Sequence, residues 1–165
     1  MRAISLWEPW GTAIARGLKK IETRHWSTDY RGPLAIHCAK NLTTVNALWD
    51  GADDPEKTVM LEALERVGVH SPSDLAFGCI VAVCMLVKVV PVQCLSDRVA
   101  DPSKPEHLRA FAHLPNGFLP RLERTFGNYE TGRFAWMLDH VRPLATPQTV
   151  RGAQGFFTVP DGLLV

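Results

Sequence analysis

The sequence lacks any apolar run approaching the roughly 20 residues needed to cross a bilayer. Its longest, Cys79 to Val92, contains Lys88 and Pro91 and is strongly β-branched. The segment Met1 to Trp7 has neither an apolar h-region nor a small-residue cleavage site, so no export signal is visible. Cysteine is scarce: Cys38, Cys79, Cys84 and Cys94 show no CxxC spacing and fall far short of a disulfide scaffold. A reduced, cytoplasmic location is expected. Excess charge is also missing, with 18 Lys and Arg against 17 Asp and Glu and a net charge of +1. That balance excludes a polycation holding nucleic acid by bulk charge. No Walker A, G-x-G-x-x-G, G-x-S-x-G or zinc-finger spacing occurs, which argues against a nucleotide-driven motor, a Rossmann dehydrogenase and an α/β-hydrolase. There is no internal repeat and no low-complexity tract.

What remains is an ordinary globular composition in 165 residues, 46% hydrophobic and 21% charged. One domain over 1–165 is expected, with excursions at about 41–76 and 93–132. Ala3 to Trp7 reads as a strand. Pro9 suits the start of a short helix carrying Trp10, Ala13 and Ile14, and Gly17 suits its stop. Lys19 to Arg24 alternates with period two, placing Ile21 and Thr23 on one face and Lys20, Glu22 and Arg24 on the other. Leu34 to Cys38 follows as a strand after the Arg31-Gly32-Pro33 turn. Asp54-Pro55 opens a helix whose apolar stripe of Met60, Ala63, Leu64 and Val67 ends at Gly68. Gly78 to Val92 is apolar on both faces and belongs in the centre of a sheet or a barrel wall. Residues 93–132, rich in proline and charge, read as a surface excursion. Phe134 to Val141, Thr149-Val150 and Phe156 to Val159 complete the strands. The fold class is α+β, a small mixed β-barrel with a helix between its first two strands and additional peripheral helices.

Charge is unevenly spread. Residues 1–40 hold seven basic and three acidic side chains, whereas residues 41–130 hold eight basic and twelve acidic. The basic third also carries Trp7, Trp10, Trp26 and Tyr30, and such interleaving suits phosphate binding with base stacking. Within it, Lys19 and Arg24 can hold a phosphate or polarise a carbonyl. Glu22 can move a proton beside Lys19, or accept hydrogen bonds from the amino edge of a base. A plain ion pair of Glu22 with Arg24 or Lys20 on a solvated strand is the bland alternative, worth under about 1 kcal/mol.

The segment Gly17-Leu18-Lys19-Lys20-Ile21-Glu22-Thr23-Arg24 fits G-x-K-x-x-E-x-R. Trp7-Glu8-Pro9-Trp10 precedes it, and Tyr30-Arg31-Gly32-Pro33-Leu34-Ala35-Ile36-His37 follows. Gly132 to Trp136 and Val150 to Phe157 agree in order. Together these blocks resemble the ASCH domain family of PUA-like folds over roughly 3–40, 76–92 and 132–159. The resemblance implies a small β-barrel with a cleft beside the first helix and a link to RNA or other nucleic acid. It also implies, for some small members, hydrolysis of the amide of N4-acylated cytidines, and nuclease activity has been proposed for others. In the amidohydrolases a threonine nucleophile stands three positions after the lysine. Here that position is Glu22, and Thr23 should point to the opposite face. The departure weighs against a threonine nucleophile.

The expected ligand is therefore RNA, single-stranded nucleic acid or a modified nucleoside. It would be bound by Trp7, Lys19, Glu22, Arg24, Trp26, Tyr30 and His37, with Arg151 and Gln154 approaching from the other side. Trp10 and Trp136 are expected in the core. Trp26 and Tyr30 sit in a polar loop, where one of them is expected to touch ligand. The alternative is a metal-independent hydrolase of a modified nucleoside or RNA, in which Lys19 stabilises an oxyanion and Glu22 activates water. The histidines lack ligand spacing, and His37 and Cys38 alternate across a strand, so neither metal nor cofactor is expected.

Overall fold

The computed structural model describes residues 1–50, 54–95, 121–160 and 162. In chain order the elements are β1 (Arg2–Leu6), α1 (Trp10–Ala15), β2 (Ile21–Arg24), β3 (Gly32–Cys38), α2 (Thr43–Trp49), α3 (Pro55–Arg66) and β4 (Cys79–Pro91). These are followed by α4 (Arg121–Thr125), β5 (Phe134–Thr149) and β6 (Phe156–Thr158). The six strands form one mixed sheet in the order β2-β5-β4-β3-β1-β6. Among the described strands only β1 and β3 pair in parallel, and α1 and β2 form the connection between them. No helix among the described residues is long and apolar enough to cross a membrane.

The sheet rolls because its two longest strands are irregular. β4 and β5 pair with register shifts between Ile80 and Ala82, Val83 and Met85, and Leu86 and Lys88. Each irregularity adds twist and bends the ladder. The end strands are thereby drawn together. Arg24 at the end of β2 donates from Nη2 to the Ser5 carbonyl on β1 at 2.8 Å, across three intervening strands. Just beyond β2, the Trp26 ring meets Phe156 of β6 edge-on, with centroids 5.3 Å apart. The curled sheet is a half-barrel, which bears out the α+β, small mixed β-barrel class expected from the sequence. β5, however, is one strand of 16 residues rather than a strand ending at Val141 with a separate short one at 149–150. Its second half is mostly exposed and holds Pro143 and Pro147, so no apolar alternation announces it.

Among the described residues the two largest apolar cores belong to the barrel and to the helices. Ile4, Ile14, Leu34, Ile36, Leu86, Trp136 and Leu138 fill the barrel, as expected for Trp136. Outside it, Val45, Leu48, Met60, Leu64, Leu75 and Phe126 join α2, α3 and the end of α4. The entry of α3 follows the sequence reading, since Asp54 accepts from the Glu56 amide at 2.9 Å and from Lys57 at 3.4 Å.

Residues 96–120, most of the excursion read at 93–132, lie outside the described residues. Its described end is not wholly superficial, because Phe126 is fully buried and Glu123 nearly so, whereas Asn128 and Glu130 to Gly132 are exposed. The physical reason lies at β2, an edge strand with amides to satisfy. Glu123 accepts from the Lys20 amide at 2.8 Å and from the Ile21 amide at 3.0 Å.

Candidate functional site

The site begins at the two ends of α1. Glu8 is fully buried and accepts from the Thr12 amide at 3.0 Å and the Thr12 hydroxyl at 2.7 Å, satisfying donors in the first turn. Burial pushes the Glu8 carboxyl above its ordinary value, against the lowering effect of those bonds. At the other end Gly17 takes φ +76°. Leu18 then donates to the Ala13 carbonyl and Gly17 to the Ile14 carbonyl, the pair of bonds that closes a helix through a left-handed residue. That turn sends Lys19 inward before β2 begins.

Lys19 is only 1% exposed. Its ammonium donates to the Ile21 carbonyl and lies 3.8 Å from Glu22 and 3.9 Å from Glu123. Burial lowers the Lys19 pKa, and the two carboxylates oppose that shift. Glu22 in turn lies 3.2 Å from Arg24 Nε. Lys19, Glu22, Arg24 and Glu123 thus form a neutral set of two cations and two anions. Glu123 also accepts from the Tyr129 hydroxyl at 3.2 Å, and burial with the nearby carboxylate drives that phenol well above its usual value.

Above this set opens a cleft of about 1660 Å³, larger than the roughly 300–1,000 Å³ of small-molecule sites. It is lined by Trp7, Glu22, Arg24, Trp26, His37, Arg151 and Gln154, so seven of the residues singled out from the sequence converge. Lys19 and Tyr30 do not line it. Lys19 lies beneath, because it precedes the strand and escapes its alternation. Tyr30 packs on Phe156 with centroids 5.5 Å apart, takes the Arg2 guanidinium on its face at 4.4 Å, and donates to the Pro33 carbonyl at 2.5 Å. Trp26 reaches the cleft while also packing edge-on against Trp136 at 4.6 Å. Trp7 is 54% exposed at the cleft wall. Trp10 is half-buried and faces both ways, touching the helical core and lining the cleft, where the sequence placed it in the core alone.

His37 is buried between two elements. Its Nε2 lies 3.0 Å from the Val150 carbonyl and its Nδ1 3.0 Å from Ser5 Oγ. A carbonyl only accepts, so Nε2 carries the proton and the Ser5 hydroxyl donates to Nδ1. Burial lowers the His37 pKa, partly offset by the Val150 bond. Gly152 packs directly over this pair, and a Cβ there would stand 2.4 Å from His37 Cε1 and 2.6 Å from Ser5 Oγ. The turn bearing Arg151 and Gln154 is therefore pinned to the barrel.

Sequence reasoning missed Lys40, Arg133 and Asn128, which also line the cleft. Arg133 donates to the Thr23 carbonyl at 2.9 Å, and the Asn128 amide donates to Thr23 Oγ1 at 3.3 Å. Arg133 lies within a block quoted for its family pattern, and its basic charge beside a strand start was the available signal. Lys40 and Asn128 gave none. Among the described residues Arg24, Lys40, Arg133 and Arg151 oppose only Glu22 in the lining, which makes this part of the cleft electropositive.

The model of the ASCH domain matches residues 4–130. The chain belongs to this family. Over 99 residues the ASCH chain is 28% identical to mouse activating signal cointegrator 1 and 27% identical to its human counterpart. Those matches cover 58% of this chain but only 14% of either relative. Among solved structures, an ASCH protein from Zymomonas mobilis superposes with 14% identity and a TM-score of 0.49, covering 98% of this chain and 89% of that one.

Proposed function

We propose that this ASCH domain binds RNA or another single-stranded or modified nucleotide ligand in its basic, aromatic-lined cleft. The observation that carries the reading is the convergence of Arg24, Lys40, Arg133 and Arg151 with the exposed Trp7 around one opening. Four cations supply attraction to phosphate, and an exposed indole supplies a face on which any base stacks. The cleft volume suits several nucleotide units better than a buried metabolite, and near-zero net charge limits the footprint to a short segment. Family membership adds to this.

The hydrolase alternative asks Lys19 to meet a developing oxyanion. Lys19 is buried and directed at the Ile21 carbonyl, which speaks for binding. The test is fluorescence anisotropy with a labelled single-stranded RNA oligomer over a salt series. Affinity should fall with salt at a logarithmic slope of about −2 to −3, as for three or four phosphate contacts. Trp7→Ala should weaken binding by about 1–3 kcal/mol. Failure of both the oligomer and free nucleotides to bind at low salt would overturn the proposal.

A further inference from the structure

Three acidic side chains are buried among the described residues: Glu8, Glu22 and Glu123. Two of them are filled by backbone amides and hydroxyls. Glu8 accepts from the Thr12 amide and hydroxyl, and Glu123 accepts from the Lys20 and Ile21 amides and the Tyr129 hydroxyl. Glu22 differs. No backbone amide or hydroxyl among the described residues donates to it, and its neighbours are the two cations, Arg24 Nε at 3.2 Å from Oε1 and Lys19 Nζ at 3.8 Å from Oε2. It is also the one of the three that lines the cleft.

A carboxylate between two cations presents acceptors only, with about four lone-pair positions on its two oxygens. Arg24 Nε stands beside Oε1 without a hydrogen bond and Lys19 Nζ beside Oε2, so each oxygen has an acceptor position that no described backbone amide or hydroxyl fills. The complement is a pair of adjacent N–H donors on one planar edge. Among the common bases only guanine offers that, through N1–H and the 2-amino group. Adenine and cytosine set one amino group beside a ring acceptor. Uracil sets its single N–H between two carbonyls, whose lone pairs would face the carboxylate.

We propose that Glu22 makes the cleft selective for guanine, as a free guanine nucleotide or as a guanine within single-stranded RNA. The inference rests on the nucleotide-binding reading and deepens it. The cations and Trp7 hold any nucleotide, and Glu22 chooses the base. A site built around an acceptor pair rejects ligands lacking the donors because its buried oxygens are then left unpaired.

The experiment is calorimetric titration of the whole chain with GMP, IMP, N1-methyl-GMP, AMP, CMP and UMP. Anisotropy is run in parallel with a single-stranded oligoadenylate and the same oligomer carrying one guanine. GMP should bind about tenfold or more tightly than AMP, CMP or UMP. IMP, which lacks the 2-amino group, should lose several-fold, and N1-methylation should abolish the preference. Glu22→Gln should erase the preference for GMP over AMP, CMP and UMP. If that variant does not fold, the IMP and N1-methyl-GMP comparisons on the unaltered protein decide the matter. Preference for GMP alone identifies a free nucleotide ligand, and preference in the oligomer identifies RNA; either supports the proposal. Binding of nucleotides or RNA without a guanine preference overturns it and leaves the binding reading intact. No binding by any probe overturns both.

Discussion

The Arg24 guanidinium donates to the Ser5 carbonyl at 2.8 Å, although β2 and β1 are separated by three strands in the sheet. The same side chain lies 3.2 Å from Glu22 and lines the cleft, so one residue ties barrel curvature to site charge. The two roles separate under substitution. Arg24→Lys keeps the charge but loses the planar fork that reaches both partners, and should cost about 1.5–3 kcal/mol in urea unfolding. RNA affinity should keep its salt slope. Arg24→Ala should cost as much stability and also make that slope shallower by about 0.7.

The buried charge set makes a second prediction. Lys19→Met leaves Glu22 and Glu123 without the cation between them, and should destabilise the protein by about 3–5 kcal/mol. Adding Glu123→Gln removes the charge of one of these two carboxylates and should recover part of that loss. A double-mutant cycle by urea unfolding should give a coupling energy above about 1 kcal/mol. Additivity would mean that Lys19 and Glu123 do not share one electrostatic unit.

The sequence made β1, α1, β2, β3, α3 and β4 legible because each is local: a period of two or 3.6, a proline at an entry, a glycine at an exit. Six of the seven cleft residues were legible for a related reason, since they lie in short blocks with family spacing; Trp26 was legible as an aromatic in a polar loop. Lys19 was misplaced because its position depends on Glu123, a partner 104 positions away that no local pattern reveals. α2 was hidden because Val45 and Leu48 make too short a stripe to announce a helix without α3 beside it. Tyr30 looked available for ligand because Arg2 and Phe156, which cover it, come from opposite ends of the chain.

A third prediction concerns pH. His37 has a pKa lowered below 6.5 by burial, so the unfolded chain takes up the proton first as pH falls. Stability contributed by His37 is therefore complete above about pH 7 and declines as pH drops through 6.5 toward the folded value. Glu8 acts in the opposite sense, because its raised pKa lets the folded state take up its proton first and gain stability as pH falls toward 4.5. The His37 contribution is isolated by comparison with His37→Gln. Between pH 7 and 5 the unaltered protein should lose stability more steeply than the variant, by up to about 1.4 kcal/mol per pH unit. Equal slopes in denaturant titrations would show that His37 is protonated equally in both states.

Gly152 offers the sharpest test of how the cleft is held open. Its φ lies outside the left-handed region that alanine avoids, so Gly152→Ala carries no backbone strain of that kind. The added methyl instead meets His37 Cε1 at 2.4 Å, His37 Nδ1 at 2.7 Å and Ser5 Oγ at 2.6 Å. His37 is fixed on both sides, to Ser5 and to the Val150 carbonyl, so it has no free direction in which to yield. The turn must lift, breaking the Val150 bond and displacing Arg151 and Gln154 from the cleft lining. Stability should fall by about 1–3 kcal/mol, as for overpacking in a tight interior. RNA binding should weaken further than that of Arg151→Ala, because the whole turn moves rather than one side chain. The imidazole nitrogen resonances of His37 should shift on losing the Nε2–H bond. An unchanged His37 spectrum with unchanged affinity would show that the turn is not pinned through this contact.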